Sequence, residues 1–412
     1  MKTNRSTFSI YAGFTLTVLG GMIFGVTGLA AGSAATLLKP LQPILPWVFL
    51  IYPLLLTVRG DINGILTGKL GTTLHLGTIK PSWRKNTDNF IELIVLIFFL
   101  SIYDAILIGT VTSIIGILMK LYTIPFNPLK YIIKIFSITL TTFVLTATIS
   151  MLTTFLLSFF IYKKNRDPDV YVYPVTSSVN DILITIIFFL ISWLYRPWEE
   201  NVHVYLFLGI PILVISLFSA IFIIVKFRKS NFFMKGISQS LPTLTLTNFI
   251  ATGTGSVLAS LSAVLSPTII VFYPAIISSV GSQNSILANT TSTKLHLGSM
   301  KPSFKSLKTQ DFLIKYLGII TGAIIIVSLM SIIGVLLFPP PGLTFLVYLR
   351  ILVLLLLTNF LSFGIISIIA LSAAFLSFRF GLDPDNLVNP LLSSSADLVT
   401  TSVLVLMFIL LF

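Results

Sequence analysis

The chain contains no cysteine. That excludes disulfides, thiolate metal sites and a cysteine nucleophile, and it leaves the redox compartment unmarked. Charge is scarce too. Only 9% of the 412 residues are charged, against roughly 25% in a soluble domain. Acidic residues number 13 against 26 Lys and Arg, and histidine occurs three times. So few charges cannot cover a water-facing surface. What is present instead is 55% hydrophobic residues and a mean hydropathy of +1.01. Both imply a polytopic membrane protein. The first apolar stretch is long and runs straight into the fold, so no cleavable signal peptide is expected.

The net charge of +13 does not point to nucleic acid, because no soluble domain is present to display a basic face. Lys and Arg collect in the cytoplasmic loops of membrane proteins. Eleven apolar spans are expected, at about 8–37, 44–79, 90–119, 131–162, 175–195, 203–225, 238–264, 268–299, 312–338, 344–378 and 387–411. With the N-terminus inside, sixteen Lys and Arg fall in inside segments and five in outside ones. This predicts a cytoplasmic N-terminus and an outside C-terminus; the expected location is the plasma membrane.

The chain writes one stretch twice. Tyr52-Pro53, Gly60, Asn63, Leu74-His75-Leu76-Gly77 and Lys80-Pro81-Ser82 recur as Tyr273-Pro274, Gly281, Asn284, Leu295-His296-Leu297-Gly298 and Lys301-Pro302-Ser303. Every pair is 221 residues apart. A second motif recurs at a spacing of 216: Asp167-Pro168-Asp169, Pro174, Ser177-Ser178 and Asp181 return as Asp383-Pro384-Asp385, Pro390, Ser393-Ser394 and Asp397. A fixed offset in Gly, Pro, Asn and His marks an internal duplication. The expected domains are a five-helix repeat at 1–196, a linker helix at 197–236 and a second five-helix repeat at 237–412. Both copies place Lys80 and Lys301 inside, so the repeats are expected to be parallel about a pseudo-two-fold along the membrane normal. The fold class is all-α. The duplicated second span is too long for a straight crossing. Two forms are open: a bend or unwound turn at Gly60 or Gly281, or a tilted helix that runs on into the cytosol.

Asp then Pro reads as an N-cap followed by Pro at the first helical position. Asp181 lies fourteen residues on from Asp167, about 21 Å along a helix. Asp181 and Asp397 are therefore deep in the bilayer, where a charge costs at least ~2.5–3.5 kcal/mol and needs a partner or a hydrated cavity. Two equivalent carboxylates brought face to face would hold a cation or share a proton. The alternative is that each pairs with a basic residue such as Arg59, Lys69, Lys294 or Arg350. Ser177 and Asp181, with Tyr173, share one helix face, as do Asn389, Ser393 and Asp397. These are oxygen donors without sulfur, suited to a hard cation: Mg²⁺, with Mn²⁺ or Ca²⁺ not separated from it. Asn63, Asn284, Asp61 and Asp104 are candidate pathway residues. Asp104 has no counterpart in the second copy. His75 and His296 are either softer metal ligands or helix-end residues. Gly20, Gly21, Gly25, Gly28 and Gly32, and later Gly253 and Gly255, read as sites of close helix packing.

The doubled Tyr-Pro … Gly … Asn segment and the doubled Asp-Pro … Pro-x-x-Ser-Ser-x-x-Asp segment resemble the second and fifth helices of the MgtE magnesium channels and their animal solute-carrier relatives. The fused two-repeat arrangement is similar to the solute-carrier branch, and no segment resembles the cytosolic sensor domains of MgtE. The resemblance implies a Mg²⁺-preferring pathway between the repeats, with Asp181 and Asp397 at its narrow point. It implies a protein that binds lipid bilayer and divalent cations, no nucleic acid, and works as a monomer because its pseudo-dimer is fused. Tyr173 stands opposite Asn389, the more family-like residue. Gly60-Asp61 and Gly281-Ser282 replace the more usual Gly-Asn. Two other functions stay open. One is a Na⁺- or H⁺-coupled exchanger of divalent cations, with Asp104 as the coupling acid. The other is an intramembrane aspartyl enzyme, since Tyr103-Asp104 resembles half of such a motif, although no Gly-x-Gly-Asp follows.

Overall fold

The computed structural model describes residues 7–123, 126–164, 168–195, 202–261, 267–296, 300–379 and 384–412. Among them there is no strand. The α-helices are α1 (Thr7–Met22), α2 (Gly28–Thr36), α3 (Val48–His75), α4 (Asp88–Leu118), α5 (Pro128–Lys163), α6 (Pro168–Tyr195), α7 (Val202–Phe227), α8 (Asn231–Leu261), α9 (Pro267–His296), α10 (Gln310–Leu337), α11 (Phe345–Arg379) and α12 (Pro384–Leu411). A tighter helical segment, Ile23–Thr27, joins α1 to α2, so the two make one span.

Local chemistry explains these limits. Asn127 caps α5 by accepting from Lys130 N at 3.0 Å, and Pro128 follows at the first position, where its missing N–H is harmless. Pro168 and Pro384 open α6 and α12 in the same way; Asp167 and Asp383, their expected caps, lie outside the described residues. In the first copy the Leu-His-Leu-Gly motif is a helix stop. Gly77 has φ +69°, its N–H reaches Leu74 O at 3.1 Å, and Thr78 N reaches Thr73 O at 3.0 Å. That is the bonding of a left-handed glycine cap.

Each expected span contains a long helix among the described residues. Nine segments are long and apolar enough to cross a membrane, among the described residues. α8 and α9 are not among the nine. Both are rich in Ser, Thr and Asn, which lowers their hydropathy below that of their neighbours. Hydroxyls inside the helices mostly bond the carbonyl four residues back, as Thr146 does to Thr142 O at 2.6 Å. That satisfies them where no water is available. Outward faces carry Phe207, Leu336 and Phe345, each at least three-quarters exposed. Long helices with apolar outsides belong in lipid: the protein is an all-α polytopic membrane protein.

The choice left open for the second span narrows. No unwound turn occurs at Gly60 or Gly281. Both lie within unbroken helices, α3 and α9, which also carry Pro53 and Pro274 in their interiors.

The chain forms two compact units, Ala34–Val264 and Met1–Ser33 with Leu265–Phe412. Sequence repeats and compact units are different divisions of this chain. In the unit built on Ala34–Val264, α8, which opens the second copy, packs on α3. A Cβ at Gly255 would run into the Leu50 carbonyl oxygen. In the other unit the first-copy helix α2 meets α9. There a Cβ at Gly32 would run into the Val271 carbonyl oxygen, and one at Gly28 would approach the Ala275 Cα to 2.7 Å. Leu50 and Val271 are themselves 221 residues apart. On the expected repeat boundaries, each copy would lend its leading helix to the unit containing the other copy's second helix. Gly28, Gly32 and Gly255 are small for that reason, whereas Gly20 faces open space.

Candidate functional site

The site residues sit where α3 meets α6, and where α9 meets α12. The first pairing is tied by Tyr52 Oη to Thr185 Oγ1 at 3.2 Å. Its counterpart, Tyr273 Oη to Thr401 Oγ1, spans 3.1 Å. Thr185 donates to Asp181 O and Thr401 to Asp397 O, both at 2.7 Å. The two copies therefore fix their second and fifth helices by the same bonds. Asp181 and Asp397 are equally buried, at 8% and 7% exposure. Ser177 and Ser393 stand one turn earlier, half-buried. Asn389 lies on α12 and Tyr173 on α6, but their side chains fall outside the described residues. So do those of His75 and His296, the last residues of α3 and α9.

Asp181 is ion-paired with Arg59 Nη2, and both are buried. The structure thus adopts, for Asp181, the alternative of pairing with a basic residue. Of the other three basic candidates, Lys294 is taken up by Asp311, Lys69 lies over the Phe232 ring at 5.7 Å, and Arg350 is exposed. Among the described residues, no group of three or more His, Cys, Asp or Glu gathers into a metal cage.

The MgtE family model, described as a divalent cation transporter, matches residues 52–191 and 273–407. The chain belongs to this family. Each matched stretch runs from the repeated Tyr of the second span through the Asp of the fifth. Neither the curated proteins nor the solved structures give a match to the chain. Membership makes it a divalent cation transporter and sets aside the aspartyl-enzyme alternative.

The remaining pathway candidates of this family member divide by copy. Asn63 donates to Thr176 Oγ1 at 3.1 Å and accepts from Thr154 at 3.3 Å, which stitches α3 to α6 and α5. Asn284 instead donates to Val280 O in its own helix at 2.9 Å. Asp61 is buried at 2% exposure. Asp104 is wholly buried in α4 and accepts from Asn248 Nδ2 of α8 at 2.9 Å.

A buried amide network in the second copy escapes the sequence motifs. Gln283 Nε2 donates to Asn359 Oδ1 at 3.0 Å, and Asn359 Nδ2 donates to Ser279 Oγ at 3.2 Å. At the first-copy positions of Ser279 and Gln283 stand Val58 and Ile62. The reverse holds for Arg59, whose second-copy position is Val280. A comparison of the copies at polar positions that break the repeat would have found both.

Proposed function

We propose that this divalent cation transporter is a Mg²⁺-preferring channel or transporter whose cation site uses Asp181 and Asp397, with Ser177, Ser393 and Asn389 orienting the ion's water. The observation that carries this reading is the pair of buried, motif-equivalent carboxylates, each on the helix pair that the Tyr–Thr bonds hold. Mg²⁺ keeps several of its waters and takes one or two carboxylates, so a paired-Asp site suits it better than a closed cage would. Mn²⁺ fits the same oxygen donors and is the competing cargo. Asn63, Asn284 and Asp61 are proposed to line the approach. The repeats at 1–196 and 237–412, joined by 197–236, would contribute one Asp each to a single pathway, so one chain would suffice as a functional monomer. The basic loops support a cytoplasmic N-terminus, and the plasma membrane is the proposed location.

Purified protein in vesicles, loaded with a Mg²⁺-sensitive dye, tests this. Asp181→Asn and Asp397→Asn should each reduce Mg²⁺ flux strongly, and the double variant should be little worse than either, because the two act as one unit. Undiminished flux in Asp397→Asn would remove the reading. Coupling to Na⁺ or H⁺ is the second reading, favoured by the burial of Asp104 against a neutral amide rather than a cation. Flux that requires a Na⁺ or H⁺ gradient would establish it.

A further inference from the structure

The turn between α7 and α8 gathers positive charge that the protein does not neutralise. It consists of Arg228, Lys229 and Ser230, because α7 ends at Phe227 and α8 begins at Asn231. Lys226, in the last turn of α7, and Lys235, in the second turn of α8, flank it. All four basic side chains are exposed, and none is ion-paired among the described residues. No Asp or Glu occurs in the sequence between Glu200 and Asp311. Glu92 of α4 does reach the turn, but it accepts from Ser230 Oγ at 2.6 Å. Ser230 Oγ in turn accepts from Phe233 N at 3.1 Å, as the cap of α8.

The patch is held in place from below. Ile223, Phe227 and Phe233 pack with Leu96, Phe99 and Leu100 of α4, and the Phe227 and Phe233 ring centres are 5.5 Å apart. The Lys226 ammonium lies 5.7 Å from the centres of both the Phe222 and the Phe227 rings. That contact steadies the charge without neutralising it. The turn is therefore a fixed, cationic surface rather than a loose basic loop.

It also stands at the edge of lipid. Only 11% of the apolar stretch of α7, Gly209–Phe227, is buried, against 41% or more in each of the other eight spans. Phe218, Ile221, Phe222 and Val225 are exposed in its last turns. A helix so lightly covered by protein is bathed in acyl chains, and its end brings the four cations to headgroup level. We infer that the α7–α8 turn is a binding site for the headgroup of an anionic phospholipid. Neutral and anionic lipids offer α7 the same acyl chains, so the uncompensated cations select for net negative charge in the headgroup. A free phosphate would bring that charge without the chains that cover the apolar face of α7. The site is separate from the proposed cation site, none of whose residues lies on α7.

Native mass spectrometry of the full chain in non-ionic detergent, titrated with phosphatidylglycerol or with phosphatidylcholine, tests the inference. The first phosphatidylglycerol should bind the wild type about tenfold more tightly than the first phosphatidylcholine. Lys226→Gln, Arg228→Gln and Lys229→Gln together should cut that preference to about threefold or less, with phosphatidylcholine binding unchanged. Lys301→Gln, Lys305→Gln and Lys308→Gln together remove as much charge from another exposed loop and should keep the wild-type preference. Lys235→Gln alone should lower the preference by about threefold, and it supplies the reading if the triple variant does not fold. Equal loss in the Lys301, Lys305 and Lys308 variant would overturn the inference, since total charge and not this turn would then bind the lipid. A wild type without preference would overturn it too. So would displacement of phosphatidylglycerol by inorganic phosphate, which would make a free anion the ligand.

Discussion

Tyr52 and Thr185 meet hydroxyl to hydroxyl at 3.2 Å across α3 and α6, and Tyr273 and Thr401 repeat the contact at 3.1 Å. The duplication thus preserves a buried interhelical hydrogen bond as well as a sequence motif. Each Thr hydroxyl also bonds its own helix, to Asp181 O or Asp397 O, so neither is stranded when the Tyr hydroxyl is removed. Tyr52→Phe and Tyr273→Phe should therefore each cost only about 0.5–1.5 kcal/mol. Because the bonds match, thermal denaturation should show two similar losses. A loss confined to one copy would show that the equivalence is only geometric.

The exchanged leading helices predict a sharper effect. At Gly32 and Gly255 the obstacle to a side chain is a backbone carbonyl oxygen, of Val271 and Leu50 respectively. A backbone cannot rotate aside as a flexible side chain can. Gly32→Val and Gly255→Val should each destabilise by about 2 kcal/mol or more, seen as loss of the monodisperse peak in size-exclusion chromatography. Gly20→Ala meets nothing within 4 Å and should behave as wild type. Equal tolerance at all three positions would refute the close approach.

Much of this architecture is legible in the sequence, for identifiable reasons. Tyr-Pro and Asp-Pro keep their spacing over both copies because they mark backbone events, a proline-bearing helix and a helix start. Hydropathy finds the spans because lipid tolerates little else. It undervalues α8 and α9, whose hydroxyls and amides make bonds within the protein such as Asn248 to Asp104. The unbroken course of α3 past Gly60 was open, since glycine permits a bend without demanding one. Arg59 was visible as one of four cations, but nothing in its spacing selects it over Lys69. The helix exchange leaves no periodic trace at all. It joins Gly32 to Val271, and only their steric match in three dimensions reveals it.

Asp104 offers a further prediction. It is wholly buried and bonded to Asn248, with Ile326 at the corresponding place of the second copy. An acid absent from one repeat cannot be half of a symmetric site, so it should modulate transport rather than hold the shared cation. Asp104→Asn keeps an acceptor oxygen for Asn248 and should fold. Its Mn²⁺ affinity should stay within about threefold of the wild type, because only Asp181 and Asp397 are proposed to hold the ion. Its flux should change in rate or in dependence on Na⁺ or pH. Complete loss of metal binding in the folded variant would place Asp104 in the site itself.

Orientation in the membrane is decided by a single labelled residue. The chain contains no cysteine, so one introduced thiol is the only one to report. Sixteen Lys and Arg in the expected inside segments oppose five outside. That bias predicts a cytosolic position for the turn after α5, at Lys163-Lys164. The C-terminus is then expected to follow α12 to the outside, since the eleven expected spans make an odd number of crossings. A cysteine appended after Phe412 should react with a membrane-impermeant maleimide on intact cells, and one replacing Lys164 should react only after permeabilisation. The opposite pattern would falsify the charge reading of orientation. Phe412 labelled from the same side as Lys164 would be more serious. It would mean an even number of crossings between the N-terminus and Phe412 and would break the parallel relation of the repeats, on which a shared Asp181 and Asp397 depends.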